Sequence, residues 1–128
     1  MRIQIDAADK VFSKYIRLRD GCCVRCYSPV RYNDNGDPIS HQASHFWGRR
    51  KESVRFDPQN VDTLCTGCHQ SWGGDKRKEY EEFKIGQMGQ REFDKLKLIA
   101  HTPGKKDRKM QKIIWGKMYK ELKDSKTN

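Results

Sequence analysis

The sequence lacks any long apolar run. Hydrophobic residues make up only 34% of the 128 residues, and no stretch approaches the roughly 20 consecutive apolar residues that a membrane-spanning helix needs. The opening segment, Met1-Arg2-Ile3-Gln4-Ile5-Asp6, also lacks the apolar core of a secretory signal. We therefore expect no membrane partner and a cytoplasmic location.

Acidic residues are also scarce. Asp and Glu number 17 against 27 Lys and Arg, so the formal net charge is +10, which favours a polyanionic partner, above all nucleic acid. Residues 1–40 have seven basic and five acidic groups, residues 41–75 have four of each, and residues 76–128 have sixteen and eight. The basic C-terminal part is either a hydrated helical surface or a surface that faces phosphates.

The pattern of apolar residues and turn formers predicts an α+β chain that forms a single domain over 1–128. Apolar residues at three- and four-residue steps predict a helix over 6–20 that ends at Gly21. Asn35-Gly36 predicts a β-hairpin whose strands lie at 30–32 and 39–41.

The last third of the chain is predicted to be helical. The predicted helices span 76–85, ending at Gly86, then 90–100, and about 107–122 after Pro103-Gly104. The last of them is expected to bury one apolar stripe, made of Met110, Ile113, Ile114, Met118, Tyr119 and Leu122.

The cysteines form two C-x-x-C pairs, Cys23 with Cys26 and Cys65 with Cys68. Each C-x-x-C turn presents two thiolates at the separation that tetrahedral zinc requires, so the two pairs predict a four-sulfur zinc site. Two disulfides or a redox pair are the alternatives. Cys22 is the odd cysteine, and the x-x spacing favours Cys23 over it as the ligand.

A zinc ion with four thiolate ligands has no open position, so this zinc is predicted to be structural. Metal binding contributes on the order of 10–16 kcal/mol to the folding of small zinc domains. That contribution would compensate for the small share of apolar residues, which limits the core of a chain this long.

A polar centre surrounds the second Cys pair. His45, Asn60 and His69 occur in that order, with the cysteines interleaved, and this layout resembles that of zinc-bearing HNH nucleases. The segments Gln42-Ala-Ser-His-Phe46, Arg55-Phe-Asp-Pro-Gln-Asn-Val61 and Gly73-Gly-Asp75, together with the sequence over 6–20, closely resemble the NinG/Rap family of phage recombination proteins. The resemblance covers roughly residues 6–100.

The resemblance implies a small ββα-metal core of the HNH type over residues 22–86, with the zinc knuckle inside it. The helix over 6–21 would flank this core on one side, and a basic helical part over 87–128 on the other. It further implies a metal-dependent endonuclease that cuts branched DNA during phage recombination, in the host cell cytoplasm. A homodimer stays open, since symmetric cutting of a four-way junction would call for two copies.

The resemblance also assigns roles to residues. His45 matches the general base that deprotonates the attacking water, and Asn60 matches the Asn that holds the loop around that base. His69 and Asp75 lie where a catalytic Mg²⁺ or Mn²⁺ would be bound, with His41 as a further candidate ligand. His69 could instead cap the knuckle helix, and Asp75 could be a helix N-cap.

One departure from the HNH pattern weakens the metal assignment. Many HNH proteins have Asp or His directly before the general base as a metal ligand, whereas this chain has Ser44, a poor ligand. The remaining candidates are the DNA-contacting side chains, which are either phosphate ligands or plain surface charges. They are Arg49, Arg50, Arg55, Lys105, Lys106, Arg108 and Lys109.

The leading hypothesis is therefore a zinc-stapled HNH-type endonuclease. The rival is a non-catalytic zinc module that binds DNA or a recombination partner, and Ser44 is the residue that favours it. A third, weaker alternative is a phage protein directed at the host that uses the zinc fold only as a scaffold for interaction.

Overall fold

The computed structural model describes residues 3–127 and has an α+β fold, as predicted. Within that range five α-helices pack around a two-stranded antiparallel sheet. The elements are α1 (Ala7–Asp20), β1 (Gln42–His45), β2 (Val61–Leu64), α2 (Thr66–Gly73), α3 (Arg77–Met88), α4 (Gln90–Ala100) and α5 (Arg108–Thr127). None of the helices in the described range is both long enough and apolar enough to cross a bilayer.

The first helix forms where the sequence predicts it. Asp6 and Asp9 accept hydrogen bonds from each other's backbone N–H groups at 3.0 Å, which is a reciprocal capping box. At the other end Gly21 takes a left-handed conformation with φ 71°, and its N–H donates to the carbonyl of Arg17. Phe12 and Ile16 on the inner face of α1 are buried.

The predicted hairpin forms as a turn but not as a pair of strands. Asn33 N–H donates to the Asp37 carbonyl, and Gly36 has φ 81°. Strand pairing is limited to a single bridge between Tyr32 and Pro38, because proline has no N–H to extend the ladder. The prediction of strands at 30–32 and 39–41 is therefore wrong.

The sheet instead pairs β1 with β2, with Gln42 opposite Leu64 and His45 opposite Val61. All four residues of β2 are buried. One of them, Asp62, forms an ion pair with Lys84 of α3 at 2.8 Å and accepts a hydrogen bond from Tyr80 at 3.0 Å. Both partners are fully enclosed, so this polar contact fixes where α3 lies on the sheet.

Two helix ends differ from the prediction. Gly86 does not stop α3, which continues to Met88 and ends at Gly89, where φ is 87°. A single glycine inside a helix costs only about 1 kcal/mol, and packing outweighs that cost here. The last helix is also longer than predicted, since α5 extends to Thr127.

The orientation of α5 contradicts the predicted apolar stripe. Trp115 is the α5 residue with the least exposure, at 8%, and its ring lies 4.8 Å from that of Phe12 and 5.0 Å from that of Tyr15. The helix is turned so that this large ring faces α1, since a tryptophan buries more area than an isoleucine. Four members of the predicted stripe are exposed, namely Met110 at 52%, Ile113 at 66%, Ile114 at 40% and Met118 at 39%.

We expect Trp115→Ala to lower the free energy of unfolding by about 3 kcal/mol or more, because it leaves a cavity between α5 and α1. Ile113→Ala on the exposed face is the matched control and should change stability by less than about 0.5 kcal/mol. Urea denaturation of the metal-loaded protein measures both. Equal effects would contradict the helix orientation.

Candidate functional site

The four predicted cysteine ligands meet in one cluster. The sulfur atoms of Cys23, Cys26, Cys65 and Cys68 all lie within 4.8 Å of one another, and no disulfide joins them. The Sγ atoms of Cys26 and Cys65 are 3.8 Å apart, and a tetrahedral site with Zn–S bonds of about 2.3 Å has sulfur–sulfur edges of about that length. The cluster therefore fits a structural metal ion such as zinc.

The structure also distinguishes the two adjacent cysteines. Cys23 belongs to the cluster and is fully buried. Cys22 lies outside it and takes part in a backbone bridge to Pro29 instead. The choice of Cys23 over Cys22 is confirmed.

Arg25 lies beside the cluster, although no motif in the sequence singles it out. Its contact with the Cys68 sulfur, together with an ion pair to Glu79 at 2.9 Å, raises the pKa of the guanidinium. A cation at this position offsets the negative charge that four thiolates would bring together.

We expect Cys23→Ser to abolish equimolar zinc binding and cooperative folding, because three thiolates and a hydroxyl no longer form the four-sulfur site. Cys22→Ser is the matched control, and it should retain both. Metal analysis after gel filtration, combined with circular dichroism with and without a chelator, measures the difference. Loss of zinc from Cys22→Ser would contradict the assignment.

A cavity of about 600 Å³ has in its lining His69, the residue that directly follows Cys68. It contains several residues singled out from the sequence and no carboxylate side chain. The lining residues are Ile3, Ile5, Ser13, Arg17, His41, Gln42, Ala43, His45, Gly48, Arg49 and His69. The two arginines of the lining, Arg17 and Arg49, make an environment that favours an anion.

His45 is held by one of its two ring nitrogens. Its Nε2 lies 2.9 Å from the carbonyl oxygen of Arg55, and because a carbonyl only accepts, Nε2 carries the hydrogen. Nδ1 then has the free lone pair, and this buried atom has no partner. Burial and the nearby charge of Arg49 lower the pKa of His45 to about 4, so the ring is neutral at neutral pH.

Two further buried polar atoms without a hydrogen-bond partner belong to residues of the same cavity. They are Nδ1 of His69 and Nε of Arg49, and the latter is 3.7 Å from a carboxylate oxygen of Asp9. Burial lowers the pKa of His69. Unpaired buried polar atoms are costly and rare, so the two histidine Nδ1 atoms need water or a polar ligand as a partner, whereas Arg49 Nε already lies beside the Asp9 carboxylate.

Asn60 holds the loop that carries His45 and Arg49. This fully buried side chain donates to the carbonyls of Trp47 and Val54, at 2.9 and 3.1 Å, and accepts from Trp47 N–H at 2.9 Å. All of these bonds are to backbone atoms of the loop. Asn60 therefore fixes the conformation of this loop.

His41 is placed differently from a free metal ligand. It lines the cavity, but its Nε2 lies 3.1 Å from Ser28 Oγ and its Nδ1 lies 2.9 Å from Ser40 Oγ. Its backbone has φ 67°, a conformation that is uncommon outside glycine. Ser28 in turn accepts a hydrogen bond from Cys26 at 3.3 Å, so His41 is linked to the metal cluster.

Asp75 and Ser44 are not brought to the cavity. Asp75 is exposed in the turn between α2 and α3, and the N-cap position of α3 is Lys76. Ser44 is buried in β1 between Ala43 and His45, and because side chains alternate along a strand, it faces away from them. Neither residue lines the cavity.

Arg55 is not a DNA-contacting side chain, contrary to the prediction. It is 4% exposed, and its guanidinium forms two hydrogen bonds to Asp9, at 3.0 and 2.5 Å. Its remaining donors reach Glu52 and the carbonyl of Gln4, both at 2.8 Å. Ion pairing with Asp9 raises the pKa of Arg55 above its usual range.

Apart from Arg49, which lines the cavity, the other predicted DNA contacts fall into two groups. Arg108 is paired with Asp6 at 2.9 Å and with Glu52 at 2.6 Å, which fixes the start of α5. The residues of the second group are exposed. Three of them lie just before or at the start of α5, and the fourth lies in the loop directly after Arg49. The members of this group are Arg50, Lys105, Lys106 and Lys109.

Comparison of the chain with protein-family models, with curated proteins and with solved structures found no match to any of them. The resemblance to the NinG/Rap proteins therefore stays a prediction.

The low pKa of His45 has a measurable consequence. By nitrogen-detected NMR of the zinc-loaded protein we expect its ring to titrate near 4, well below the value of about 6.5 for a free histidine. Since the unfolded chain binds this proton more readily than the folded one, His45 makes stability fall as pH falls from about 6.5 towards 4. A midpoint near that of free histidine would contradict the desolvated environment.

Proposed function

We propose that the protein is a zinc-stapled endonuclease that hydrolyses DNA phosphodiester bonds, on branched recombination intermediates if the NinG/Rap resemblance holds. The observation that carries the proposal is the state of His45. Its imidazole is oriented through Nε2, its buried Nδ1 has no hydrogen-bond partner, and the residue lines a cavity that Arg17 and Arg49 also line. Such a ring is suited to accept a proton from water.

The orientation of His45 depends on a buried ion pair. Asp9 of α1 holds the Arg55 side chain, and the carbonyl of Arg55 accepts the His45 ring proton. This contact selects the tautomer whose lone pair is on Nδ1. The first helix thus supports the candidate base through one intervening residue.

In the proposed reaction, His45 Nδ1 takes a proton from a water molecule as that water's oxygen attacks phosphorus. The bond between phosphorus and the 3′ oxygen breaks in line with the attack, and the departing 3′ oxygen takes a proton from solvent water to become a hydroxyl group. Arg49, whose buried Nε has no hydrogen-bond partner, would stabilise the charge that builds up on the phosphate oxygens. An anionic phosphate beside the ring would also raise the pKa of His45 towards neutrality, which makes the ring a better base.

Three consecutive elements support the HNH-like part of the proposal. β1, β2 and α2 follow one another as strand, strand and helix, with His45 at the end of β1 and His69 on α2. Asn60 immediately precedes β2 and braces the intervening loop. This is the order of elements that the ββα-metal resemblance implies.

The residues present do not fit a resident Mg²⁺ or Mn²⁺. These ions prefer carboxylate and other oxygen ligands, and no carboxylate lines the cavity. Among the described residues, the four cysteines are the only group of three or more His, Cys, Asp or Glu side chains close enough to hold an ion. The proposed chemistry therefore rests on His45 and Arg49.

None of the described residues contributes a carboxylate to the lining of the cavity, and this observation favours a second candidate function. A cavity with histidines and arginines but no acidic ligand could bind a phosphate without cleaving it. The protein would then be a non-catalytic zinc-stapled module that binds DNA or a recombination partner.

We expect the wild-type protein to nick branched DNA and His45→Ala to lower the rate by about 10²- to 10⁴-fold, the usual contribution of a general base. Linear, flapped and four-way substrates are incubated with Mg²⁺, Mn²⁺ or chelator, and cleavage is followed on denaturing gels. His101→Ala, on an exposed histidine after α4, is the matched control and should cut like wild type.

The outcomes separate the two candidate functions. If wild type and His45→Ala cut no substrate while binding DNA equally, the nuclease proposal fails and the binding module is favoured. Equal cutting by both proteins would remove only the assignment of His45 as the base.

A second experiment concerns the basic residues that would hold DNA. Deleting the last helix would also remove Trp115 from the core, so substitutions are cleaner. Three single substitutions are tested, namely Lys105→Ala, Lys106→Ala and Lys109→Ala. Each should reduce the slope of log affinity against log salt by about 0.9 for every phosphate that the lysine neutralises in the wild-type complex. Lys95→Ala, which removes a lysine paired with Glu92 on α4, is the control. Unchanged slopes would show that these lysines do not face DNA.

A further inference from the structure

α5 has a second apolar face, distinct from the one that packs on α1. Four apolar residues of α5 form a group that we call the outer stripe. They are Met110, Ile113, Ile114 and Met118, and their spacing of three, four and eight residues places them on one side of the helix. All four side chains are exposed, at 39–66%. Isolated surface isoleucines need no explanation, but a contiguous row of four apolar residues on one helix marks an interaction surface.

The outer stripe continues into a depression in the surface. Ile114 lines a cavity of about 360 Å³ whose other walls are the apolar Phe56, Pro58 and Trp115 and the polar Ser53, Asp57, Lys106 and Gln111. This cavity lies between α5 and the segment before β2. An apolar side chain from a partner helix could therefore insert beside Ile114, which is the usual way in which a helix anchors in a groove.

The charges around the outer stripe are predominantly basic. From Arg108 to Lys126 the helix has seven basic residues and two acidic ones, and two of the basic residues, Arg108 and Lys123, pair with carboxylates of other segments. Three exposed lysines, Lys109, Lys112 and Lys120, flank the stripe on the side of Ile113, and the exposed Lys117 lies within it, four residues after Ile113. A second copy of the same helix would meet this surface with like charges, which disfavours self-association.

We propose that the outer stripe of α5 docks an acidic amphipathic helix of another protein. Apolar side chains of that helix would cover Met110, Ile113, Ile114 and Met118, while its carboxylates would pair with the flanking lysines. Nucleic acid fits the lysines but leaves four apolar side chains in water, because phosphate contacts require no apolar surface. The surface is separate from the His45 cavity, so the inference does not depend on the proposed function.

The probe is a synthetic, fluorescein-labelled peptide of about 18 residues that carries Leu at helical i, i+3, i+4 and i+7 positions and Glu on its other face. A peptide of the same composition, scrambled so that it has no apolar face, is the control ligand. Binding to the zinc-loaded full chain is measured by fluorescence anisotropy. We expect the patterned peptide to bind at least about tenfold more tightly than the scrambled one.

Variants locate the binding site on α5. Ile113→Asp should weaken binding about tenfold or more, and Lys117→Glu should weaken it and make the remaining affinity less dependent on salt. Leu98→Asp is the matched control, since Leu98 is 71% exposed but lies on α4, and it should bind like wild type. Because the substituted side chains are exposed, unchanged circular dichroism is expected for all three proteins.

Four outcomes would overturn the proposal. They are equal binding of the two peptides, full affinity in Ile113→Asp, and a fall in affinity in Leu98→Asp to the same extent as in Ile113→Asp. The fourth is concentration-dependent sedimentation that Ile113→Asp abolishes, which would assign the stripe to a second copy instead. Duplex DNA could also displace the patterned peptide from the wild-type protein. If Ile113→Asp then leaves the affinity for DNA unchanged, DNA and the peptide share the lysines, and the docking role of the stripe stands.

Discussion

Two C-x-x-C turns meet at one point, and the placement of the other elements follows from that meeting. Cys23 and Cys26 come from the segment after α1, whereas Cys65 and Cys68 lie at the start of α2. A metal ion at their centre would join parts of the chain about 40 residues apart and supply folding energy on the order of 10 kcal/mol. The candidate cavity adjoins this junction, because His69 follows Cys68 directly and the side chain of His41 is connected to Cys26.

Buried polar contacts then set the positions of the elements that carry the cavity. Asp62 and Lys84 hold α3 against β2, and Asp9 and Arg55 connect α1 to the carbonyl that orients His45. Buried ion pairs add little net stability, since removing charges from water is costly, but a single missing partner is strongly destabilising. Their role here is therefore to specify one arrangement. The Nδ1 atoms of His45 and His69, which have no hydrogen-bond partner, contrast with these satisfied networks.

Prediction from the sequence succeeded where the signal was local. Apolar residues at three- and four-residue steps and the closing Gly21 define α1, and the x-x spacing distinguishes Cys23 from its neighbour. Prediction failed where several local solutions compete. The apolar residues of α5 form two faces, and the Phe12 ring on another helix selects the face with Trp115. The role of Arg55 was missed because its partner Asp9 is 46 residues away.

The amino-acid sequence alone predicts most helix ends, the basic C-terminal part, the cysteine ligands and the polar residues near them. Spacing, capping and charge are properties of neighbouring residues, which is why a sequence pattern is enough to predict them. Tertiary packing was needed to show that Asp75 lies outside the cavity, that Arg55 supports His45 instead of facing DNA, and that the outer stripe of α5 is exposed. Burial and ion pairing between distant segments depend on how the helices pack around the cysteine cluster, and no local pattern encodes that packing.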